Sequence, residues 1–143
     1  MNIKCILIFV LLEFGHFLSA QLLDVHISNI RNTKGQLCLA IFASEDEFKV
    51  EKPCWRLYCD KKEVHNGEFS IQIPFREGNW GFSLLDDENS NGKMEYNFIG
   101  MPREGFGFSN YELKGLHRPV FDDFCFQLKK DEKKVLLVKV KYY

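Results

Sequence analysis

Leu23 to Ile30 reads LDVHISNI and Gln36 to Ala43 reads QLCLAIFA, and these two stretches decide the fold class. In the first, Leu23, Val25 and Ile27 alternate with Asp24, His26 and Ser28. A period of two puts the apolar side chains on one face of a pleated strand. The second stretch is apolar on both faces, as a central strand covered on each side would be. Between them Asn32, Lys34 and Gly35 suit a turn. Working outward, Phe69, Ile71 and Ile73 alternate with Ser70 and Gln72 until Pro74 stops the run. Trp80, Phe82 and Leu84 repeat at the same period, as do Phe124, Phe126 and Leu128, and finally Leu136, Val138, Val140 and Tyr142. With a further strand around Phe106 to Tyr111, the pattern predicts an all-β chain, a single antiparallel β-sandwich of about seven strands. Only Ser44 to Glu51 (SEDEFKVE) suits a helix, with Ser44 and Glu47 spaced as a capping box. The charge run Lys129 to Lys134 (KKDEKK) reads as a hairpin tip.

The 143 residues are 45% hydrophobic and include 14 Phe, enough apolar area for one packed domain. Lys+Arg 19 against Asp+Glu 20 leaves no basic excess to neutralise phosphates, so nucleic acid is excluded as a partner. Residues 1–20 read as a secretory signal peptide: a basic start at Lys4, the apolar run CILIFVLL from Cys5 to Leu12, and a small residue, Ala20, before Gln21. The run is too short to span a bilayer, and Glu13 and His16 interrupt its continuation. The expectation is a secreted or periplasmic β-sandwich domain over 21–143, with no membrane insertion after signal removal.

Export leaves Cys38, Cys54, Cys59 and Cys125, an even number in an oxidising compartment, so disulfides are expected. Three pairings are open, and a local Cys54–Cys59 bridge within CWRLYC is the first expectation. Cys38 and Cys125 read equally well as a bridge or as two strand thiols that never meet. Zinc is disfavoured, because no Cys-x-x-Cys or His pair completes four ligands.

Asp86 to Gly100 reads DDENSNGKMEYNFIG. Oxygen donors fall at alternate positions, Asp87, Asn89 and Asn91, followed by Gly92, Lys93 and Glu95, as in the opening of an EF-hand-type calcium loop. Short Asp and Asn side chains reach inward while the chain curls, glycine permits the reversal, Lys93 offers its carbonyl, and Glu95 binds directly or through water. The twelfth position is Phe98, where a bidentate Glu normally completes the shell, so affinity is weak unless a distant carboxylate joins. Asp86, Asp122 and Asp123 are candidates by composition. The competing reading is a plain turn in which Asn91-Gly92 supplies positive φ angles and the amides bond to nearby backbone.

The segment Trp80 to Asn110, above all DENSNGKMEYNFIGMPREGFGFSN, resembles a family of secreted bacterial proteins known as domain of unknown function 2141. The resemblance rests on Asp87, Glu88, Asn89, Asn91, Gly92 and Lys93, then Asn97, Gly100, Pro102, Glu104-Gly105 and Gly107 to Asn110. It extends more loosely to the first two strands. It implies an extracytoplasmic β-sandwich of immunoglobulin-like or transthyretin-like shape with no established activity. Asp86 stands where the family commonly has His, and Ser90 and Glu95 replace Gly and Asp.

In Arg103 to Tyr111 (REGFGFSNY), Phe106 and Phe108 share one face of an extended chain, and the intervening glycines let a ligand or another backbone approach. Phe106, Phe108 and Asn110 are therefore candidate ligand-binding residues, with core packing of the two rings as the plainer alternative. No HExxH, GxSxG or phosphate loop is present, and His26, His65 and His117 are not visibly oriented as bases. The expected protein is not an enzyme but a calcium-stabilised binding or structural module of the cell envelope, its partner an unknown envelope protein or glycan. A purely structural domain without an ion is the alternative. A carboxylate-dependent glycoside hydrolase built from Asp86-Asp87 and Asp122-Asp123 is the third reading.

Overall fold

The computed structural model describes residues 21–143; the signal peptide expected at 1–20 lies outside the described residues. The chain runs β1 (Leu22–Ser28), β2 (Gln36–Phe42), α1 (Glu45–Lys49), β3 (Trp55–Asp60), β4 (Phe69–Pro74), β5 (Gly78–Asp87), β6 (Gly105–Phe108), α2 (Phe121–Phe124), β7 (Cys125–Leu128) and β8 (Lys133–Lys139). It is all-β apart from short helical turns. One sheet has the order β4-β1-β8; the other has β3-β2-β5-β6, with β7 pairing to the first half of β5. All ladders are antiparallel except β1–β8, which is parallel.

The alternations place the core. Leu23, Val25 and Ile27 of β1, Leu37, Leu39 and Ile41 of β2, Phe82 and Leu84 of β5, and Leu136 and Val138 of β8 belong to one buried cluster shared by both sheets. Fully burying such a side chain contributes about 1.5–3 kcal/mol. The other face of β2 carries Phe42, which joins Phe48, Phe108, Leu113, Phe121 and Phe124 in a second cluster. This outer cluster seats α1 and α2 on the larger sheet, which is why QLCLAIF is apolar on both faces. Helix α1 starts as expected: the Ser44 side chain accepts from the Glu47 amide at 3.3 Å, and Glu47 accepts from the Ala43 amide at 2.8 Å.

Three expectations are corrected. The described residues form eight strands, because the CWRLYC segment is itself a strand: Trp55, Leu57 and Cys59 pack toward the core while Arg56, Tyr58 and Asp60 face out. The Cys54–Cys59 bridge is not formed, and Cys38, Cys54, Cys59 and Cys125 are all free. Five residues of extended chain span about 16 Å and reverse the side-chain face, whereas a disulfide needs Cα atoms within about 7 Å. The Cys54 thiol instead donates to the Ile41 carbonyl at 3.3 Å. The KKDEKK run is not a hairpin tip either. Strands β7 and β8 lie in different sheets, so Lys129 to Glu132 crosses between them and Lys133 and Lys134 already belong to β8.

Candidate functional site

Strand β5 ends in Asp86-Asp87, and the pleat sends the two carboxylates to opposite faces. Asp86 faces inward, where its Oδ1 meets Lys61 Nζ at 2.6 Å and its Oδ2 accepts from the Tyr142 hydroxyl at 2.6 Å. Asp87 faces outward beneath the loop that follows. It accepts hydrogen bonds from Gln36 Nε2 at 2.7 Å, the Gly92 amide at 2.8 Å and the Asn91 amide at 3.1 Å, and from the Cys38 thiol at 3.6 Å. Burial works to raise its pKa, but the bonds from Gln36, Gly92 and Asn91 outweigh it and hold the carboxyl below the usual range.

The loop's other donors gather around Glu95. Its Oε2 accepts from Asn89 Nδ2 and its Oε1 from Asn91 Nδ2, each at 2.9 Å. Asn89 Oδ1 accepts from the Asn91 amide at 3.1 Å, and Asn91 Oδ1 from the Lys93 amide at 3.0 Å. Positive φ angles at Ser90 (59°) and Gly92 (79°) close the bend. The sequence-nominated residues Asp87, Asn89, Asn91, Lys93 and Glu95 are thus brought into one hydrogen-bonded knot. Each amide oxygen in it retains a second lone pair. Among the described residues no three His, Cys, Asp or Glu side chains already stand as a metal-holding group.

Glu104 was missed as a site residue by the sequence reading. The β5–β6 ladder ends at the Asp86–Gly105 pair, and Glu104, just before it, lies near enough to Asp87 and Glu95 for their charges to act on its carboxylate. Glu104 is only 5% exposed, and neither of its carboxylate oxygens has a hydrogen-bond partner. Burial, then the nearby charges of Asp87 and Glu95, push its pKa up against the partial pull of the Glu95 and Asn89 amides. The signal was present in the alternation Glu104, Phe106, Phe108, but its neighbour Asp87 lies beyond a 16-residue excursion that no local pattern pairs.

The excursion returns as a small hairpin: the Asn97 amide donates to the Met101 carbonyl at 2.9 Å and the Arg103 amide to Glu95 O at 2.8 Å. Phe98, at the position where calcium loops usually carry Glu, is at its tip and 97% exposed. Phe106 and Phe108 point outward from β6, Phe108 buried in the outer aromatic cluster and Phe106 packed against it. Both line a cleft of about 550 Å³ whose wall also includes Lys93, Met94, Met101 and Phe48. Asn110 is separated from them: its Oδ1 accepts from the Leu137 amide at 2.9 Å, tying β6 to β8. Ser109 bridges as well, accepting from the Phe82 amide at 3.1 Å and donating to the Phe124 carbonyl at 2.7 Å.

The carboxylate doublets are held apart. Phe121 and Phe124 of α2 lie against Gly81, about 20 Å along β5 from Asp87, and Asp123 is occupied in accepting from the Val120 amide at 2.9 Å. On the opposite sheet His26 lies 3.0 Å from Ser70 Oγ and 3.4 Å from Asp24, an alignment produced by the direct His26–Ser70 cross-strand pair. With His26 46% exposed, that trio stands in water and not in an enclosed site.

No helix among the described residues is long and apolar enough to cross a membrane. A model of the family described as "Uncharacterized protein conserved in bacteria (DUF2141)" matches residues 25–136. No curated protein and no solved structure matches the chain.

Proposed function

The chain belongs to the DUF2141 family, and from that premise we propose that it is a secreted or periplasmic, calcium-stabilised binding or structural module of the cell envelope. Its two sheets close over their shared core as an immunoglobulin-like or transthyretin-like sandwich. Asp87, Asn89, Asn91, the Lys93 carbonyl and Glu95 hold the ion. The observation that carries this reading is the convergence of those side chains into one knot at the end of β5. Calcium takes six to eight oxygens from a flexible cage, a demand that alternate short side chains on a curled loop suit. The ion fixes the wall of the cleft that Phe106 and Phe108 line, where an envelope protein or glycan docks. Export rests on the leader at 1–20.

The purely structural alternative has one observation in its favour, that every loop donor already has a protein partner. Calorimetric titration of calcium into chelator-treated protein, with melting curves in parallel, separates the two. A ligand that binds only the folded state raises the melting temperature, and extracellular modules are half-saturated at about 10⁻⁴ to 10⁻³ M. Neither heat nor a melting shift at several times that concentration overturns the calcium reading.

A further inference from the structure

The loop as read from sequence is short of anionic oxygen, since Phe98 occupies the place of the bidentate carboxylate and its side chain points into solvent. Glu104 has the opposite deficiency. A carboxylate that is 95% removed from water normally recovers its hydration loss through hydrogen bonds or an opposite charge; among the described residues neither Glu104 oxygen has a partner in hydrogen-bonding geometry, and the nearby Glu95 and Asn89 amides offset its burial only in part. It also lies near Asp87 where the β5–β6 ladder ends, and like charges that neighbour each other across a strand pair destabilise the sheet. Asp87 is fully buried, and as an ionised carboxylate that accepts from Gln36, Cys38 and two backbone amides it carries no proton to donate to its neighbour.

We infer that Glu104 is the missing carboxylate ligand of the cation loop, reaching the ion from the returning strand and closing the shell that the continuous loop leaves open. This rests on the calcium reading above. With both Glu104 oxygens the donor set rises from about five to about seven, inside the range calcium adopts and above the six that magnesium requires. All are oxygens, the donor type that hard divalent cations select. Binding needs a small rearrangement, because the three carboxylates do not yet form a metal-holding group. Glu95 releases Asn89 and Asn91, whose amides then turn their oxygens inward. The same ion neutralises the Asp87–Glu104 apposition, so the site and the β5–β6 ladder tighten together.

The test is a comparison of wild type with Glu104→Gln, an isosteric change that removes the charge. Calcium titration is expected to show at least tenfold weaker binding in the variant. In chelator the order of stability reverses: the variant melts higher than wild type because the charge near Asp87 is gone, while in calcium wild type melts higher. A merely structural Glu104 does not produce that crossing. Glu104→Asp, which keeps the charge but draws it back by one methylene, is measured alongside and is also expected to bind more weakly. If wild type binds calcium and either folded variant binds it within threefold, Glu104 is not a ligand and the loop reading survives. If wild type shows no calcium-linked heat or melting shift, both readings fall.

Discussion

Lys61 Nζ lies 2.6 Å from Asp86 Oδ1, and both side chains are entirely removed from solvent. Asn32 Oδ1 accepts a second Lys61 proton at 3.1 Å, and the Tyr142 hydroxyl donates to the other Asp86 oxygen. The pair joins the turn after β3, the end of β5 and the chain beyond β8 directly behind the candidate loop.

Breaking this pair from one side strands a buried charge. Lys61→Met is therefore expected to cost about 3–5 kcal/mol, and Tyr142→Phe, which leaves the ion pair intact, about 1–3 kcal/mol. Urea unfolding followed by fluorescence measures both; equal costs would show that the hydroxyl and the ammonium are not ranked by charge.

Asp87 and Glu95 are expected to differ in what they support without an ion. Asp87→Ala removes the acceptor of four bonds, one of them to the buried Cys38 thiol, and destabilises the calcium-free protein by about 1–3 kcal/mol. Glu95 bonds only to exposed amides, so Glu95→Gln changes calcium-free stability by less than about 0.5 kcal/mol yet weakens calcium binding. Melting in chelator, set beside calcium titration of the same two variants, checks the separation.

Gly107 is required because β8 passes close over β6. A Cβ there would lie 2.8 Å from Val138 Cγ1 and 2.9 Å from the Lys139 carbonyl oxygen. A backbone atom cannot rotate away, so Gly107→Ala is expected to cost about 1–3 kcal/mol through overpacking. Gly100→Ala meets nothing within 4 Å and is charged only for its positive φ, about 1–2 kcal/mol. Hydrogen exchange discriminates them, since only the first should speed exchange of the Lys141 amide, which donates to the Phe106 carbonyl at 2.8 Å.

Thiol titration checks the cysteines. All four cysteines from Cys38 to Cys125 should react as free thiols in denaturant without reductant. In the folded protein Cys38 should be the slowest: it is buried, and burial followed by the neighbouring Asp87 charge pushes its pKa up to about 12. Its alkylation rate should stay low yet climb about tenfold per pH unit from about pH 7 to 9 without levelling off, because the thiolate is the nucleophile and its pKa lies well above that range. Exposed Cys54 should be modified first, identified by peptide mass.

Much of the architecture was legible because strand periodicity is local. The apolar alternations located seven of the eight strands, and Ser44 with Glu47 marked α1. Trp55 to Asp60 carried the same alternation, but two cysteines in a chain expected to be exported invited a cross-link reading that outweighed it. The spacing also nominated Asp87, Asn89, Asn91 and Glu95, which the fold does bring together, since a tight bend is governed by its own side chains and glycine.

The sequence by itself determined an all-β chain and the identity of the loop residues, because a period of two and an Asn-Gly bend are encoded within a few neighbouring positions. Only the tertiary structure decided which sheet each strand joins, that β1 and β8 run parallel, that Asp86 turns to Lys61, and that Glu104 comes near Asp87. Those are matters of register between segments distant along the chain. Register is fixed by burying one face of every strand at once, a condition on the whole core that no single stretch contains.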